Sequence, residues 1–117
     1  MKVKYSSQFK KDMKKVRKNS KWNKVFNKPL HFSDLSPWEY IIRKFINNEP
    51  IPDYFYAHPI ILSKKDIQNI KKSIGQDLYI RVMDLHFDGR TGDCLLIYAT
   101  NKEYVYLLRI GSHSELF

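Results

Sequence analysis

Apolar positions along this chain follow two different periods, and the change between them divides it. Near the end, Cys94-Leu95-Leu96-Ile97-Tyr98 and Tyr104-Val105-Tyr106-Leu107-Leu108-Arg109 flank the polar segment Asn101-Lys102-Glu103. Two runs rich in apolar, β-branched and aromatic residues, joined by a short polar turn, predict an antiparallel hairpin. Their near-continuous apolarity predicts central strands with other elements packed on them. Just upstream, Leu78, Ile80 and Val82 alternate against Tyr79, Arg81 and Met83, so Leu78 to His86 has the period of a strand. Asp88-Gly89-Arg90-Thr91-Gly92 then predicts a glycine-bearing turn into the hairpin.

The first half has helical spacing instead. After a short candidate strand, Val3-Lys4-Tyr5, the residues Phe9, Met13 and Val16 predict an amphipathic helix capped by Ser6 or Ser7. Trp22, Val25 and Phe26 give a second, shorter amphipathic stretch, and His31 to Asp34 reads as loop. Ser36-Pro37-Trp38-Glu39 is a strong start signal: a serine cap, proline at the first helical position and a glutamate to close a capping box. Trp38, Ile41, Ile42, Phe45 and Ile46 then mark one wide apolar face, which stops at Asn47-Asn48 ahead of Pro50 and Pro52. Residues 51–61 read as loop, carrying Tyr54, Phe55, Tyr56 and His58. Ser63 opens a further capped helix with Leu62 and Ile67 as a hydrophobic staple, a stripe of Ile67, Ile70 and Ile74, and Gly75 at its end. Helices first and an antiparallel sheet afterwards make an α+β fold. At 117 residues the expectation is one domain spanning 1–117.

Composition narrows the class. With 43% hydrophobic and 15% aromatic residues the chain should fold rather than stay disordered. No apolar stretch is long enough to cross a bilayer, so no membrane span is expected. The N-terminus is basic but lacks an apolar signal core, which predicts a cytoplasmic protein. The single cysteine, Cys94, excludes an internal disulfide framework and fits a reducing compartment. The formal charge of +9 favours an anionic partner such as nucleic acid, an acidic protein or a membrane surface. It is concentrated early: between Lys2 and Lys28 the only acid is Asp12. Lys10, Lys11, Lys14, Lys15, Arg17 and Lys18 cover the polar faces of the first helix. They form either a surface that tracks phosphates or a solvated lysine face.

Four histidines carry the candidate chemistry: His31, His58, His86 and His113. A P-loop, a dinucleotide-binding glycine pattern and a nucleophile elbow are all missing. His58, His86 and His113, with or without Cys94, form a zinc set on residue types alone, but no two have a local ligand spacing. A metal-free acid–base site on RNA suits these residues better, with no cofactor. Cleavage at a ribose needs a base for the 2′-hydroxyl proton, an acid for the leaving 5′-oxygen and a cation for the phosphorane. Histidine serves in either protonation state near neutrality, arginine offers a planar fork to phosphate, and an aromatic stacks on an unpaired base. His58, His86, Asp93, Arg109, His113 and Phe117 supply these functions between them. Taken singly, each has a commoner structural explanation: an exposed or core histidine, an arginine paired with a core carboxylate, a terminal aromatic anchor.

The segments Tyr5-Ser6-Ser7-Gln8-Phe9-Lys10-Lys11-Asp12, Phe45-Ile46-Asn47-Asn48 with Pro50 and Pro52, and His58-Pro59 form one series. With His86, Asp93 to Tyr98 and Arg109 to Phe117 added, the chain resembles YafQ-type toxins. These belong to the RelE/ParE superfamily, whose ribosome-dependent messenger-RNA interferases serve bacterial toxin–antitoxin modules. The resemblance implies helices packed on a twisted antiparallel sheet, cleavage of messenger RNA on the ribosome to a 2′,3′-cyclic phosphate and a 5′-hydroxyl, and neutralisation by a cognate antitoxin. It implies that His58, His86, Asp93 and His113 are the acid–base positions, that Arg109 faces phosphate and that Phe117 is the terminal aromatic. On this pattern His113 is the general acid, His86 and Asp93 share the base role and His58 supports the scissile phosphate. Lys10, Lys11 and Lys14 would track RNA, and the toxin alone would be a monomer. Cys94 stands where the family usually has a tryptophan, which removes a stacking surface. The longer turn after His86 makes Asp88 a second candidate carboxylate. The Lys64–Ile74 helix and the Trp22–Phe32 region read as insertions. A non-catalytic ParE-like gyrase inhibitor and an inert basic RNA-binding domain are the alternatives from other classes.

Overall fold

A computed structural model describes residues 1–75 and 80–117. The strands are β1 (Lys2–Tyr5), β2 (His58–Pro59), β3 (Arg81–His86), β4 (Cys94–Thr100) and β5 (Tyr104–Ser112), side by side in the order β1-β5-β4-β3-β2. The helices are α1 (Ser7–Lys18), α2 (Asn23–Asn27), α3 (Pro37–Ile46), α4 (Lys64–Ile74) and the short α5 (His113–Leu116). The predicted hairpin is β4 and β5, and the strand read through His86 is β3, which begins at Arg81; Leu78 and Tyr79 of that reading lie outside the described residues.

The sheet is mixed rather than wholly antiparallel. β1 runs parallel to β5, with Tyr5 opposite Leu107, while every other pairing is antiparallel. The parallel start has a consequence: α1 leaves the end of β1 and crosses the remaining, C-terminal half of β5.

Both faces of the sheet are covered, which explains the unbroken apolarity of β4. On one face Leu96, Tyr98, Leu107 and Ile110 pack with Phe9 and Val16 of α1, Val25 of α2, and Ile41 and Phe45 of α3. On the other, Val82, Ile97 and Ala99 lie under Ile70 and Ile74 of α4. Adjacent residues of β4 therefore serve different cores, as the pleat requires. The Trp22–Phe32 region contributes Trp22, Val25 and Leu30 to the larger core, so it is integral to the fold.

The caps follow the sequence. Ser6, Ser36 and Ser63 accept hydrogen bonds from the backbone N–H groups of Phe9, Glu39 and Asp66. The box expected at α3 is only half made, because the Glu39 carboxylate turns toward Arg43, 4.0 Å away. A complete box forms instead at α5, where Ser112 accepts from the Glu115 N–H and Glu115 accepts from the Ser112 N–H. Those bonds from Ser112 hold the Glu115 carboxyl below the usual carboxylate range.

Asp12, 6% exposed, ties α1 to β5. Its Oδ2 accepts from Arg109 Nε at 2.7 Å and from the Ile110 N–H at 3.3 Å, and its Oδ1 from Arg109 Nη2 at 3.3 Å and Gln8 Nε2 at 3.0 Å. Replacing Asp12 with alanine strands a buried N–H and a half-buried guanidinium, so it should cost on the order of 2–4 kcal/mol. Urea unfolding would measure it, and an unmoved midpoint would show that this carboxylate does not anchor the helix.

Candidate active site

Residues 51–61 were expected to be loop, yet His58 and Pro59 form a two-residue edge strand too short to show alternation. Proline suits an edge, having no N–H to offer. This pairing sets His58 directly opposite Asp84, and His86 stands two residues further along β3 on the same face. Asp84 is 3% exposed. Its Oδ2 lies 3.6 Å from His58 Nε2 and its Oδ1 3.5 Å from His86 Nε2. The two imidazole rings are 5.9 Å apart between centroids.

The opposite nitrogens decide the proton arrangement. His58 Nδ1 is 2.8 Å from the Tyr56 carbonyl oxygen, and His86 Nδ1 is 3.1 Å from that of Gly92. A carbonyl only accepts, so each neutral ring carries its proton on Nδ1 and presents a lone pair at Nε2. Both lone pairs face a carboxylate, which also only accepts when ionised. Asp84 Oδ1 has no hydrogen-bond partner among the described residues. Three acceptor groups converging without a donor favour the capture of a proton or a cation. Burial accordingly raises the Asp84 carboxyl above its ordinary value, against the opposing charges of His58, His86 and His113.

The same three groups could hold a metal ion, since their ligand atoms lie within 4.8 Å of one another. This differs from the zinc set read from residue types. The third ligand here is Asp84, and Cys94 is fully buried among the side chains of the larger core, on the other face. Burial, then Asp88 and Asp93, push its thiol up to about 12. Because of that position, Cys94 presents no surface to a substrate on the histidine face.

Pairing registers align Arg109, Ile97, Asp84 and His58 in one row across the sheet. A bulge on β5, where Ile97 faces Arg109 but Tyr98 faces Leu107, leaves Leu108 unmatched and brings Arg109 into that row. Its Nε and Nη2 are held by Asp12, and the side chain keeps part of its fork in solvent. His113 opens α5 with its backbone N–H donated to Asp93 Oδ1 at 2.9 Å. Its ring packs on Phe117, 5.2 Å between centroids, and Phe117 is 58% exposed. Lys10, Lys11 and Lys14 are exposed along α1.

The two carboxylates considered for the base are both engaged elsewhere. Asp93 Oδ2 lies 3.8 Å from Lys21 while its Oδ1 holds His113. Asp88 lies 3.6 Å from Lys24 and accepts from the Cys94 N–H at 3.4 Å. The carboxylate between the imidazoles is Asp84, which neither the candidate set nor the resemblance includes. Its signal was there: Asp84 and His86 are two apart in a strand and so share a face. Asp12 had one too, falling at the same helical phase as Phe9 and Val16.

A family model described as "Bacterial toxin of type II toxin-antitoxin system, YafQ" matches residues 1–117. The chain therefore belongs to the YafQ toxins of type II toxin–antitoxin systems. Solved relatives agree. YafQ in the Escherichia coli DinJ–YafQ complex is 26% identical, with 98% of this chain and 96% of that one aligned at a TM-score of 0.62. YafQ from E. coli BL21(DE3) is 25% identical over the same shares, also at 0.62. A copper-bound mutant toxin from Helicobacter pylori is 25% identical, covering 100% and 99% at 0.64. No curated protein sequence matches significantly.

Two outcomes follow from these environments. A raised carboxyl costs nothing while the group is protonated in both states and destabilises the fold as pH climbs through its folded value. Asp84→Asn should therefore gain in Tm on the parent as pH rises from 4 to 8, and calorimetry showing a gap that shrinks would contradict this. Native Cys94 should resist a thiol-reactive dye at pH 8 and react at once in denaturant; fast native labelling would mean that it is reachable.

Proposed function

We propose that this toxin is an endoribonuclease that cuts messenger RNA on the ribosome by metal-free acid–base catalysis. The observation that carries the reading is the imidazole–carboxylate–imidazole cluster of His58, Asp84 and His86, in register with Arg109. His86, oriented by the Gly92 carbonyl, takes the proton of a ribose 2′-hydroxyl at Nε2, and the ionised Asp84 beside it stabilises the imidazolium that results. The 2′-oxygen attacks the neighbouring phosphorus while His58 and the free part of the Arg109 fork meet the phosphorane charge. His113 gives its proton to the departing 5′-oxygen, leaving a 2′,3′-cyclic phosphate and a 5′-hydroxyl. Asp93 serves by holding His113 through its backbone N–H rather than by sharing the base role. Phe117 stacks on an unpaired base, and Lys10, Lys11 and Lys14 follow RNA phosphates. A gyrase-binding role would give no use to this cluster.

By likeness to the DinJ–YafQ complex, a cognate antitoxin neutralises this chain. Induced expression with primer extension on cellular messages tests both points: cuts inside codons, abolished by co-expressing the neighbouring open reading frame. Intact messages despite folded, unopposed toxin would refute the reading. In single-turnover assays on ribosome-bound message, His113→Ala should lower cleavage roughly 10²- to 10⁴-fold with Tm unchanged. Full activity would remove His113 as the acid. The copper-bound relative bears on the cluster as well. An ion on His58, Asp84 and His86 would occupy the lone pair that the base needs. Cleavage should survive a chelator selective for transition metals and fall on adding copper(II); loss of cleavage with the chelator would show that an ion is required.

A further inference from the structure

We propose that Arg90, steadied on the ring of Tyr56, is a second cation gripping the RNA phosphates at this site; the inference rests on the nuclease reading above. Tyr56 ends a 3-10 turn (Asp53–Phe55) with φ 50° and ψ 43°, the left-handed region. A bulky side chain is strained in that conformation, which glycine adopts freely. Three contacts join Tyr56 to the histidines. The Tyr56 carbonyl holds His58 Nδ1 at 2.8 Å, and the Tyr56 ring lies 4.8 Å from the His58 ring and 5.5 Å from that of His86, edge-on. The Arg90 guanidinium lies over the same ring, 4.8 Å from its centroid.

The turn that carries Arg90 is fixed to the site at both ends. At Gly89, φ is +91°, and a Cβ there would come within 3.4 Å of the Tyr54 ring, so the turn docks closely on the aromatic loop. At its other end the Gly92 carbonyl faces His86 Nδ1, so one turn sets both the histidine and the arginine. Asp88 folds over Gly92, leaving no room for a side chain there.

The two arginines are differently placed for phosphate. Arg109 commits Nε and Nη2 to Asp12. Arg90 is exposed and makes no ion pair with a carboxylate among the described residues. Arg90 makes no side-chain hydrogen bond among the described residues, so its N–H groups are available for a bidentate phosphate contact while its charge rests on the ring. The ring thus limits the rotamers of Arg90 without using its donors.

The test compares Arg90→Ala, Arg90→Lys, Tyr56→Phe and Tyr56→Gly with the parent. Two readouts are taken: single-turnover cleavage of ribosome-bound message, and affinity for the same complex with a 2′-deoxynucleotide at the cut. Arg90→Ala should lose roughly 10- to 100-fold in rate, in line with the removal of one positioned cation. The salt slope of binding should become shallower by about one counterion. Arg90→Lys should recover only part, because an ammonium neither stacks nor forks. Tyr56→Phe keeps the ring and should therefore keep the parent's salt slope of binding. Tyr56→Gly, which relieves the left-handed strain but removes the ring from Arg90 and from both histidines, should lose at least as much as Arg90→Ala. Adding Arg90→Ala to Tyr56→Gly should cost nothing more. Parental rate and salt slope in Arg90→Ala, or a Tyr56→Gly variant that binds and cuts normally, would overturn the proposal. A parent protein that cuts nothing would instead defeat the nuclease reading, while the binding readout still reports on Arg90.

Discussion

A carboxylate cut off from water and faced by two imidazoles is the constraint around which this molecule's chemistry is arranged. Asp84 is 3% exposed and lies 3.6 Å and 3.5 Å from the nearer nitrogens of His58 and His86. In water such groups would be solvated independently. Here burial prevents that, and backbone carbonyls on the far side of each ring aim the lone pairs inward. Burial of the carboxylate accordingly raises the Asp84 carboxyl above its ordinary value. It costs stability for the same reason, since the buried Oδ1 of an ionised Asp84 has no hydrogen-bond partner among the described residues.

The rest of the fold supplies the supports. Pairing of a two-residue edge strand with β3 delivers His58, and the turn from Asp88 to Gly92 delivers His86 its carbonyl. On the far side of β4, the bulge at Leu108 and the buried Asp12 settle where Arg109 can reach. The α5 capping box and the Asp93 carboxylate fix the backbone beneath His113. Each support is a backbone or side-chain hydrogen bond made inside a packed scaffold, so the positions are set by the fold itself. Asp12 and Asp93, which resemble candidate catalysts by residue type, act in this structure as anchors.

The elements were largely legible because their signals are local. Serine caps at Ser6, Ser36 and Ser63, the apolar stripe of α3, the Gly75 stop and the β4–β5 hairpin all follow from backbone hydrogen bonding and pattern over a few residues. The histidines and Arg109 were also legible, through residue type and through the resemblance of the segments around them. Less legible was anything that depends on a partner distant in the chain. β2 is two residues long, and only β3, more than twenty positions later, makes it a strand. The parallel docking of β1 on β5 joins the two ends of the chain. The resemblance sets Cys94 at an exposed stacking position, whereas the pleat of β4 turns it into the core.

The sequence by itself therefore determined the helices and their caps, the hairpin, the basic first helix and the kinds of group available for chemistry. Those properties arise within one or two turns of chain, where propensity, capping and periodicity act without help. Tertiary structure alone decided which carboxylate meets the histidines, which arginine is tied down and which aromatic lies beside them. Strand pairing and burial set those choices, because a side chain's partners, and hence its protons, are fixed by whichever distant residues the packed sheet places against it.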